Sequence, residues 1–592
     1  MAAGPDPSGA QPPPAFSGGG VEIERDVPVP MDDGVVLRAD VFRPPGPGRY
    51  PVILTYGPYA KGLAFQQGYP DQWRLMIAAH PDVAAGSSNV HQSWEVVDPE
   101  KWVPDGYVCV RVDSRGAGRS PGRLDPYSPR ETRDLYECIE WAAAQPWSTG
   151  KIGLNGISYY AMNQWQVATR KPKHLTAMCI WEGAADFYRD MGRHGGILCN
   201  GFAGDWPVGQ IWPVQHGRGR RGLRSRMNGE LASGPETLTD EQLGANRHDF
   251  LTDVRAHTLA SDPYWESRMP DWSKVAVPFL SAANWGGQGL HPRGNFEGFT
   301  RAATEQKWLE VHGIEHWTHF YTDYGLALQK RFFGHFLKGE NTGWTKQPRV
   351  VLQVRHPGEA FVERAEAEWP LARTQWTRYY LDLADLALGT TPPRAAATTT
   401  YQGFGGGVTL LTPPLAAPVE ITGPIAARLF VSSTTEDADL FLILRVFAPD
   451  MKEVVFQGAL DPHTPVAQGW LRVSQRKLDP VLSQPWRPYH THDEVQKLTP
   501  GAVVEVEVEI WPTSIVVPAG HRIGLSIRGT DYEYPGGASG GLETLGKAWS
   551  GVGPFRHTDP IDRPAAVFGA DVTLHAGPDR QACLLLPIIP EA

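Results

Sequence analysis

The stretch that decides the fold is residues 151–166, which read KIGLNGISYYAMNQWQ. Its first part is an apolar run typical of a buried strand, and the rest has the composition of a helix. Ser158 falls at the junction, where a sharp turn would raise its hydroxyl above the sheet and requires small neighbours. Gly156 meets that requirement, although Tyr160 takes the last place of the G-x-S-x-G pattern and the small Ala161 comes one residue later. Ser158 is therefore a candidate nucleophile, and a plain helix N-cap is the alternative.

Strand and helix patterns alternate on both sides of this junction. The other segments with strand character are 21–31, 34–44, 50–59, 107–113, 175–183, 275–284 and 306–313. A helix is expected after Ser128, because Ser128 and Glu131 have the spacing of a capping box and a proline follows the serine. Alternation at this spacing predicts a mostly parallel sheet with helices on both faces.

Two longer stretches interrupt the alternation, and a different pattern follows it. Residues 62–103 form an insertion, and residues 186–270, rich in Arg, Gly and Trp, are expected to form a helical cap over the sheet. Beyond this part, short β-type runs are separated by Pro, Gly and Asp turns, which predicts a β-sandwich or jelly roll. We thus expect a disordered leader at 1–20, an α/β domain at 21–345 and an all-β domain at 346–592.

Composition and charge narrow the functional classes. The 592 residues include 64 glycines and 53 prolines without a Gly-x-y period, and 41% are hydrophobic, which argues against collagen and wholesale disorder. A formal net charge of −10 gives no global attraction to nucleic acid or to an anionic membrane. The five cysteines form no C-x-x-C pair, and neither a signal peptide nor a membrane span is recognisable. These features predict a soluble, cytoplasmic, multidomain protein.

Several motifs, taken together with the Ser158 junction, carry a resemblance to a known family. They are Tyr56 to Tyr59 (YGPY), Asp113 to Gly116 (DSRG), Ser120 to Gly122 (SPG), Glu140-Trp141, Gln145 to Ser148 (QPWS), Trp317 to His319 (WTH), Asp437 to Leu440 (DADL), Gly469 to Arg472 (GWLR) and Pro518 to Arg522 (PAGHR). Over nearly its whole length the chain resembles the CocE/NonD family of serine hydrolases, which includes cocaine esterase, X-prolyl dipeptidyl aminopeptidase and α-amino acid ester hydrolases. The resemblance implies an α/β-hydrolase domain with an inserted helical cap, followed by a C-terminal galactose-binding-like jelly roll.

The resemblance also implies the residues of a site. Carried over by position, Ser158 is the nucleophile, His319 is the general base, and the Tyr59 hydroxyl and the Tyr159 backbone N–H form the oxyanion hole. This chemistry is coherent, because a serine hydroxyl needs an imidazole to accept its proton and a developing oxyanion needs preorganised donors. The implied activity is hydrolysis of an ester or amide through an acyl-enzyme, with small acyl esters as the first choice. The alternative is X-prolyl dipeptidyl peptidase or α-amino acid ester hydrolase activity.

The third member of the triad is where the sequence departs from the family. The family acid comes one or two residues after a tryptophan that follows a strand, yet here Trp285 is followed by Gly286 and Gly287. Glu182 and Asp186 follow the strand next to the nucleophile strand, so we hypothesise that Glu182 replaces the missing acid, with Asp186 as the alternative. Either acid could instead anchor a substrate ammonium group or simply begin a helix. Asp186 and Trp285 are also candidates for the substrate pocket.

No cofactor and no metal are expected. His312, His316 and His319 have a spacing that would share one face of a helix, but their segment follows a strand and contains Gly313, which disfavours metal ligation. His316 is a second candidate for the base. The expected partner is a small ester or a short peptide, and a homo-oligomer is an open alternative. The glycines after the tryptophan also leave open a different class, a non-catalytic binding protein with a degenerate triad.

Overall fold

The computed structural model describes residues 20–536, 543–545, 547–548 and 550–590. The leader predicted at 1–20 lies, except for Gly20, outside the described residues. Among the helices within these ranges, none combines the length and the apolar character that crossing a bilayer requires.

Ten strands lie in the first part of the chain. They are β1 Glu22–Pro30, β2 Val36–Arg43, β3 Tyr50–Gly57, β4 Val108–Asp113, β5 Ser148–Ile157, β6 Leu175–Trp181, β7 Arg193–His194, β8 Ile197–Leu198, β9 Phe279–Asn284 and β10 Lys307–His312. Each of the eight segments predicted as strands in this part coincides with one of them. The remaining two, β7 and β8, form a short hairpin inside the region predicted as a cap.

The sheet of the first part has the order β1-β2-β4-β3-β5-β6-β9-β10. The pairs β1–β2 and β2–β4 are antiparallel, and every later pair in this order is parallel. The carboxyl ends of the parallel strands therefore meet at one edge, which is where ligands bind in sheets of this kind. The prediction of a mostly parallel sheet is confirmed.

Helices provide the crossovers between parallel strands and fill the insertion and the cap. They are α1 Phe65–Gly68, α2 Pro70–Ala79, α3 Pro99–Trp102, α4 Pro129–Ala143, α5 Tyr159–Ala168, α6 Asn200–Trp206, α7 Asp240–Ala245, α8 Phe250–Ala256, α9 Pro263–Glu266, α10 Pro292–Arg301, α11 Thr318–Tyr321, α12 Asp323–Phe333 and α13 Ala565–Phe568. The first three lie in the predicted insertion, and α6 to α9 lie in the predicted cap. The connections β4–β5, β5–β6 and β9–β10 contain α4, α5 and α10.

At the start of α4, one half of the predicted capping box forms, and a different set of hydrogen bonds replaces the other half. Ser128 caps the helix, because its hydroxyl accepts the backbone N–H of Glu131 at 3.2 Å. The other half of the predicted capping box is different: the Glu131 carboxylate accepts the backbone N–H of Tyr127 at 2.7 Å and also the hydroxyl of Tyr159. Glu131 thus ties the start of α4 to the first residue of α5, close to the predicted nucleophile.

The second part of the chain is rich in strands. They are β11 Val350–His356, β12 Ala360–Glu366, β13 Gln375–Asp382, β14 Ala387–Gly389, β15 Ala397–Gln402, β16 Val408–Leu411, β17 Val419–Ser433, β18 Asp439–Phe447, β19 Glu453–Val454, β20 Ala467–Arg472, β21 Val504–Val517, β22 Arg522–Arg528, β23 Glu543–Thr544, β24 Lys547–Ala548, β25 Asp571–Ala576 and β26 Cys583–Ile589. Most of their pairings are antiparallel. β11 instead pairs parallel with β10, so the first sheet continues directly into the second part.

The two parts differ in the side chains of their cores. The largest buried cluster of the first part is strongly aromatic and includes Trp94, Trp181, Trp206 and Trp317. The largest cluster of the second part is built almost wholly from Val, Leu, Ile and Ala. An aliphatic core suits strands that pack face to face.

Candidate active site

Ser158 occupies the turn between β5 and α5, as the sequence predicts. Its backbone has φ of 54° and ψ of −112°, a conformation that non-glycine residues rarely adopt and that marks functional turns. A β-carbon on Gly156 would lie 2.4 Å from Cβ of Tyr160, so only glycine fits there. Tyr160 is tolerated in place of the pattern's last glycine because its ring lies over Gly57, which has no side chain to obstruct it.

The histidine that contacts Ser158 is His291. Ser158 Oγ lies 3.0 Å from His291 Nε2, and both residues are buried. His291 immediately precedes α10, in the segment that follows β9. Sequence reasoning missed this residue, because the resemblance assigned the base to the segment after β10. The signal that could have found it is its position, a histidine just beyond the carboxyl end of a parallel strand.

The predicted base, His319, is not brought to Ser158, and the structure corrects that prediction. Its ring centroid lies 5.3 Å from that of His312 and 6.1 Å from that of His80, and its Nδ1 has no hydrogen-bond partner within the described ranges. The physical reason is the short helix α11, which begins at Thr318: His319 is its second residue, and its ring lies near His312 and His80 rather than in the cleft that holds Ser158. His316, three residues earlier, lies at the site instead.

Glu182, the residue hypothesised as the relocated acid, faces the other ring nitrogen of His291. It lies just beyond β6, with φ of 53° and no exposed surface. Its Oε2 is 3.7 Å from His291 Nδ1, too long for a hydrogen bond but within ion-pair range once the ring is protonated. Its Oε1 accepts from the Asn284 side-chain amide at 3.1 Å and lies 3.3 Å from His312 Nε2.

The other two tentative site residues lie elsewhere. Asp186 caps a helical turn of the cap region through the backbone N–H groups of Tyr188 and Arg189, and it pairs with the Arg189 guanidinium at 2.6 Å. Trp285 is fully buried and donates its indole N–H to the backbone carbonyl of Gln353 at 2.9 Å. Neither residue lines the cleft that holds Ser158. Asp186 therefore does not replace Glu182 as the acid, and Trp285 is a packing residue.

The glycines that replace the family acid have a steric explanation. A β-carbon on Gly286 would lie 2.6 Å from Cα of Gly458, in the β-rich second part of the chain. The Gly286 carbonyl accepts the backbone N–H of Ala459 at 3.0 Å. A β-carbon on Gly287 would come within 3.0 Å of the ring of Pro292. The close approach of the second part thus fills the space that an acidic side chain at 286 would need.

Two further histidines surround the acid, and each lies between two carboxylates. His316 Nδ1 is 2.9 Å from Glu182, and its Nε2 is 2.8 Å from Glu95. His312 Nε2 is 3.3 Å from Glu182, and its Nδ1 is 2.7 Å from Glu310. While these carboxyl groups are ionised they can only accept, so both nitrogens of each ring donate and each ring is an imidazolium.

The electrostatics of this cluster agree with its hydrogen bonds. Burial alone would lower the pKa of His316 and His312, but the adjacent carboxylates outweigh it and raise these pKa values to about 10 and about 9. Burial opposes ionisation of Glu182, yet the two imidazolium groups hold its pKa below its ordinary value. Burial, and then the charge on His316, lower the pKa of His291 to about 3. His291 is therefore a neutral imidazole beside a charged cluster.

Two donors are available for an oxyanion. The Tyr59 hydroxyl oxygen accepts the indole N–H of Trp206 at 3.0 Å, and since an indole can only donate, the tyrosine keeps its own proton to give. The backbone N–H of Tyr159 is the first of α5, and the first four N–H groups of a helix have no partner within the helix. Tyr59 lines the same cleft as Ser158, so both predicted donors are near the nucleophile.

A cleft with mostly apolar walls lies above Ser158. Its lining comprises Tyr59, Tyr69, Gln72, Trp94, Glu95, Ser158, Phe202, Trp206, Gln210, Leu290, His291, His316, Trp317, Leu460 and Leu545. The insertion, the cap and the second part of the chain each contribute. The site is therefore assembled from segments far apart in sequence.

Glu182, His291 and His316 could in principle approach a metal ion, since their ligand atoms lie within 4.8 Å of one another. The hydrogen-bond partners described above already account for Glu182 and His316, and His291 faces Ser158. We therefore interpret this group as an ion-pair network, and we assign no metal to it.

A second group of buried donors comprises His194, Cys199 and His557. His194 Nδ1 lies 2.9 Å from His557 Nε2, a hydrogen-bonding distance, and His557 Nδ1 lies 2.8 Å from a carboxylate oxygen of Asp531. These two contacts already account for both ring nitrogens of His557. The geometry of this group is thus explained without a bound ion.

Comparisons with known proteins agree with the predicted family. The family model of X-Pro dipeptidyl-peptidase (S15 family) matches residues 33–321, and that of the X-Pro dipeptidyl-peptidase C-terminal non-catalytic domain matches residues 342–551. Cocaine esterase from Rhodococcus sp. (strain MB1 Bresler) is 25% identical over 605 residues, which cover 87% of this chain and 92% of that protein.

Solved structures extend the comparison. A CocE/NonD family hydrolase from Staphylococcus aureus is 31% identical with a TM-score of 0.81, covering 96% of this chain and 94% of that one. An α-amino acid ester hydrolase, 15% identical over 99% of this chain and 100% of that chain with a TM-score of 0.65, shares the fold. The predicted serine hydrolase acting on ester or amide bonds is confirmed. This chain belongs to the CocE/NonD family of hydrolases.

Proposed function

We propose that the protein is an esterase that works through an acyl-enzyme, with Ser158 as nucleophile, His291 as general base and Glu182 as the carboxylate behind the base. The observation that carries the proposal is the 3.0 Å contact between Ser158 Oγ and His291 Nε2 within an apolar cleft. A serine hydroxyl is a weak nucleophile until a base within hydrogen-bond reach can take its proton. Burial of both residues protects this contact from competing water.

The reaction proceeds in two halves. The proton of the Ser158 hydroxyl moves to His291 Nε2 while Oγ bonds to the carbonyl carbon, whose electron pair moves onto oxygen. The Tyr59 hydroxyl and the Tyr159 N–H donate to that oxyanion. The bond to the leaving group then breaks, and the leaving oxygen takes the proton from His291. In the second half, water takes the place of the serine hydroxyl and attacks the acyl-enzyme while His291 accepts its proton. The carboxylic acid product leaves, and Ser158 regains its proton from His291.

These steps require a neutral His291 that carries its hydrogen on Nδ1. The lowered pKa keeps the ring neutral, and the hydrogen on Nδ1 would then face Glu182 Oε2 at 3.7 Å. When His291 becomes a cation in the transition state, its attraction to that carboxylate increases, and such catalytic hydrogen bonds often shorten only then. Glu182 therefore stabilises the charged base rather than accepting its proton.

The walls of the cleft indicate the acyl group. Trp94, Phe202, Trp206, Leu290 and Trp317 surround the serine with apolar and aromatic surface. Such surface binds flat or branched apolar groups through burial of their area. Small aromatic or branched acyl esters are thus the proposed substrates.

A fluorophosphonate probe together with a substrate screen tests this proposal. Wild type should be labelled, and Ser158→Ala should not, because the probe reacts with an activated serine. Aryl esters should be hydrolysed faster than Xaa-Pro anilides. Failure of the folded wild-type protein to react with the probe, or label that persists in Ser158→Ala, would count against the proposed site.

An α-amino ester or an X-prolyl peptide is the second candidate substrate, and one observation favours it. Glu95 Oε2 is buried, lines the cleft and makes no hydrogen bond within the described part of the chain, while Oε1 faces His316. A buried carboxylate oxygen without a donor is costly, and a substrate ammonium group would supply charged hydrogen bonds.

A matched pair of esters separates the two candidates. Methyl phenylglycinate and methyl phenylacetate differ only in the α-amino group. If Glu95 binds an ammonium group, wild type prefers the amino ester, and Glu95→Gln loses about tenfold or more of that preference, the scale of one charged hydrogen bond. Equal rates with both esters in wild type would favour the simple esterase.

The jelly-roll topology of the second part and the domain boundary at 345/346 also belong to this proposal. Antiparallel pairing of β17 with β21, β25 and β26, and of β18 with β20 and β22, supports two layers of strands. A cytoplasmic location and the absence of a cofactor stay predictions from the sequence, and a homo-oligomer stays an open alternative.

A further inference from the structure

Two histidine rings at the site compete for one carboxylate oxygen. His291 and His316 are stacked, with ring centroids 4.8 Å apart and planes 12° from parallel. Both direct Nδ1 toward Glu182 Oε2, at 3.7 Å for His291 and at 2.9 Å for His316. His291 Nδ1 has no hydrogen-bond partner within the described ranges. The hydrogen bond that a serine triad would make between acid and base is therefore made to His316 instead.

His316 cannot itself serve as the base in this arrangement. Its Nε2 faces Glu95 and its Nδ1 faces Glu182, so both nitrogens donate and neither has a lone pair for the Ser158 proton. The groups that face His316 are Glu182 from the β6 end, Glu95 from the insertion and the His291 ring from the segment after β9. His312 and the Asn284 side-chain amide also contact Glu182.

We propose that His316 is a positioning residue that keeps Glu182 in a fixed ion pair, so that this carboxylate compensates a charge on His291 only weakly, and that His316 so holds the catalytic base in its neutral form even in acidic solution. This inference rests on the proposed function, in which His291 is the base for Ser158. His316 does not touch the reacting atoms. It acts on them through the charge it presents to the stacked ring and through the carboxylate oxygen it occupies.

The physical reason is electrostatic. A cation stacked on His291 disfavours a second positive charge there, and a carboxylate already paired with that cation offers less compensation. The pKa of His291 accordingly lies at about 3, below the ordinary value of 6.5, first because the ring is buried and second because of His316. A weak base activates the serine less, but it is not lost to protonation as the pH falls. The proposal thus predicts an enzyme that works under acidic conditions.

The wild-type protein alone provides the first test. The rate of fluorophosphonate labelling and kcat/KM for an aryl ester are measured as functions of pH, with Ser158→Ala as the blank. The acid limb of both profiles should lie at least about one pH unit below 6.5, the value expected of an ordinary histidine. A limb at 6.5 or above would overturn the proposal while leaving the proposed function intact. Failure of labelling at every pH would instead refute the proposed function.

The second test removes the competing cation. In His316→Gln, Glu182 Oε2 is released to approach His291 Nδ1, so the acid limb of kcat/KM should move up by at least about one pH unit, with the loss confined to the acid side. His312→Gln is the matched control, because it also removes a cation from Glu182 but not the one stacked on His291. The acid limb of His312→Gln should move less than that of His316→Gln.

Two outcomes of this second test would overturn the proposal. One is an acid limb in His316→Gln that coincides with that of wild type, which would make His316 merely structural. The other is loss of activity at every pH to the level of His291→Ala, with the fold intact by circular dichroism, which would place His316 in the chemistry itself. If His316→Gln does not fold, the wild-type profiles decide the question.

Discussion

Two segments at the same edge of the sheet, residues 285–291 after β9 and residues 313–319 after β10, contain histidines and yet contribute differently. The first brings His291 to the serine. The second brings His316 between two carboxylates and turns His319 away. A motif can thus place a histidine near the site, but the charged groups around its ring decide whether that ring is neutral and able to accept a proton.

One residue of the second part, Ala459, contacts both segments. The Ala459 backbone N–H donates to the Gly286 carbonyl at 3.0 Å, and the Ala459 carbonyl accepts the N–H of His316 at 3.2 Å. These backbone bonds fix the distance between the two segments. The β-rich part therefore supports the geometry of the catalytic residues besides lining the cleft.

Replacing the histidines one at a time tests most directly whether the two segments have different roles. His291→Ala should lower kcat about 10⁴- to 10⁶-fold, because the nucleophile loses its base. His319→Ala should stay within about tenfold of wild type, since His319 has no contact with the serine. Steady-state kinetics on an aryl ester measure both. The reverse ranking would restore the assignment made from the family motif.

Tyr59→Phe provides a reference that is independent of both segments. It removes one oxyanion donor and leaves the ring, so kcat should fall about 10²- to 10³-fold with little change in KM. The same kinetic assay measures it, and the melting temperature provides the control for folding. An unchanged kcat would mean that another group donates to the oxyanion.

Gly286→Ala tests the packing of the segment after β9 without changing the segment after β10. The added methyl group would meet the Gly458 backbone, so we expect a loss of about 1–3 kcal/mol in the free energy of unfolding, the usual cost of overpacking. Chemical denaturation measures the loss, and Gly389→Ala, where a β-carbon meets open space, is the matched control. Equal stability of the two variants would contradict the close approach at Gly286.

The smallest expected effect is a pH dependence of stability. The pKa of His316 is about 10 in the folded protein and 6.5 when unperturbed, so its pairing stabilises the fold fully below about pH 6.5. This contribution disappears as the pH rises through about 10. The difference in melting temperature between wild type and His316→Gln should therefore be larger at about pH 6 than at about pH 10. A difference that grows with pH would contradict a charged His316.

Much of this architecture could be predicted from the sequence, because it depends on local patterns. The strand before Ser158 and the helix after it follow from periodicity and from Gly156, whose position admits no side chain. Glu182 could be proposed as the acid because parallel strands end at one edge, so a residue just past β6 must lie near one just past β5. Both inferences need only the order of elements along the chain.

The identity of the base could not be predicted in this way. His291, His316 and His319 all follow strands that end at the same edge, so connectivity does not rank them. Glu182 and Glu95, the two carboxylates that hold His316, lie 134 and 221 residues from it in sequence, and Ser158 lies 133 residues from His291. A sequence pattern does not report contacts over such separations unless a motif happens to encode them.

The sequence by itself thus determined the sheet, the nucleophile turn and the edge at which chemistry occurs, since these follow from short-range periodicity and chain order. Only the tertiary structure decided which histidine is neutral and free to act as a base. That choice depends on Coulomb interactions and burial, which act across a few ångströms in space whatever the distance along the chain. The glycines at 286 and 287 illustrate both levels, because the sequence shows that an acid is missing and the packing of Gly458 shows why.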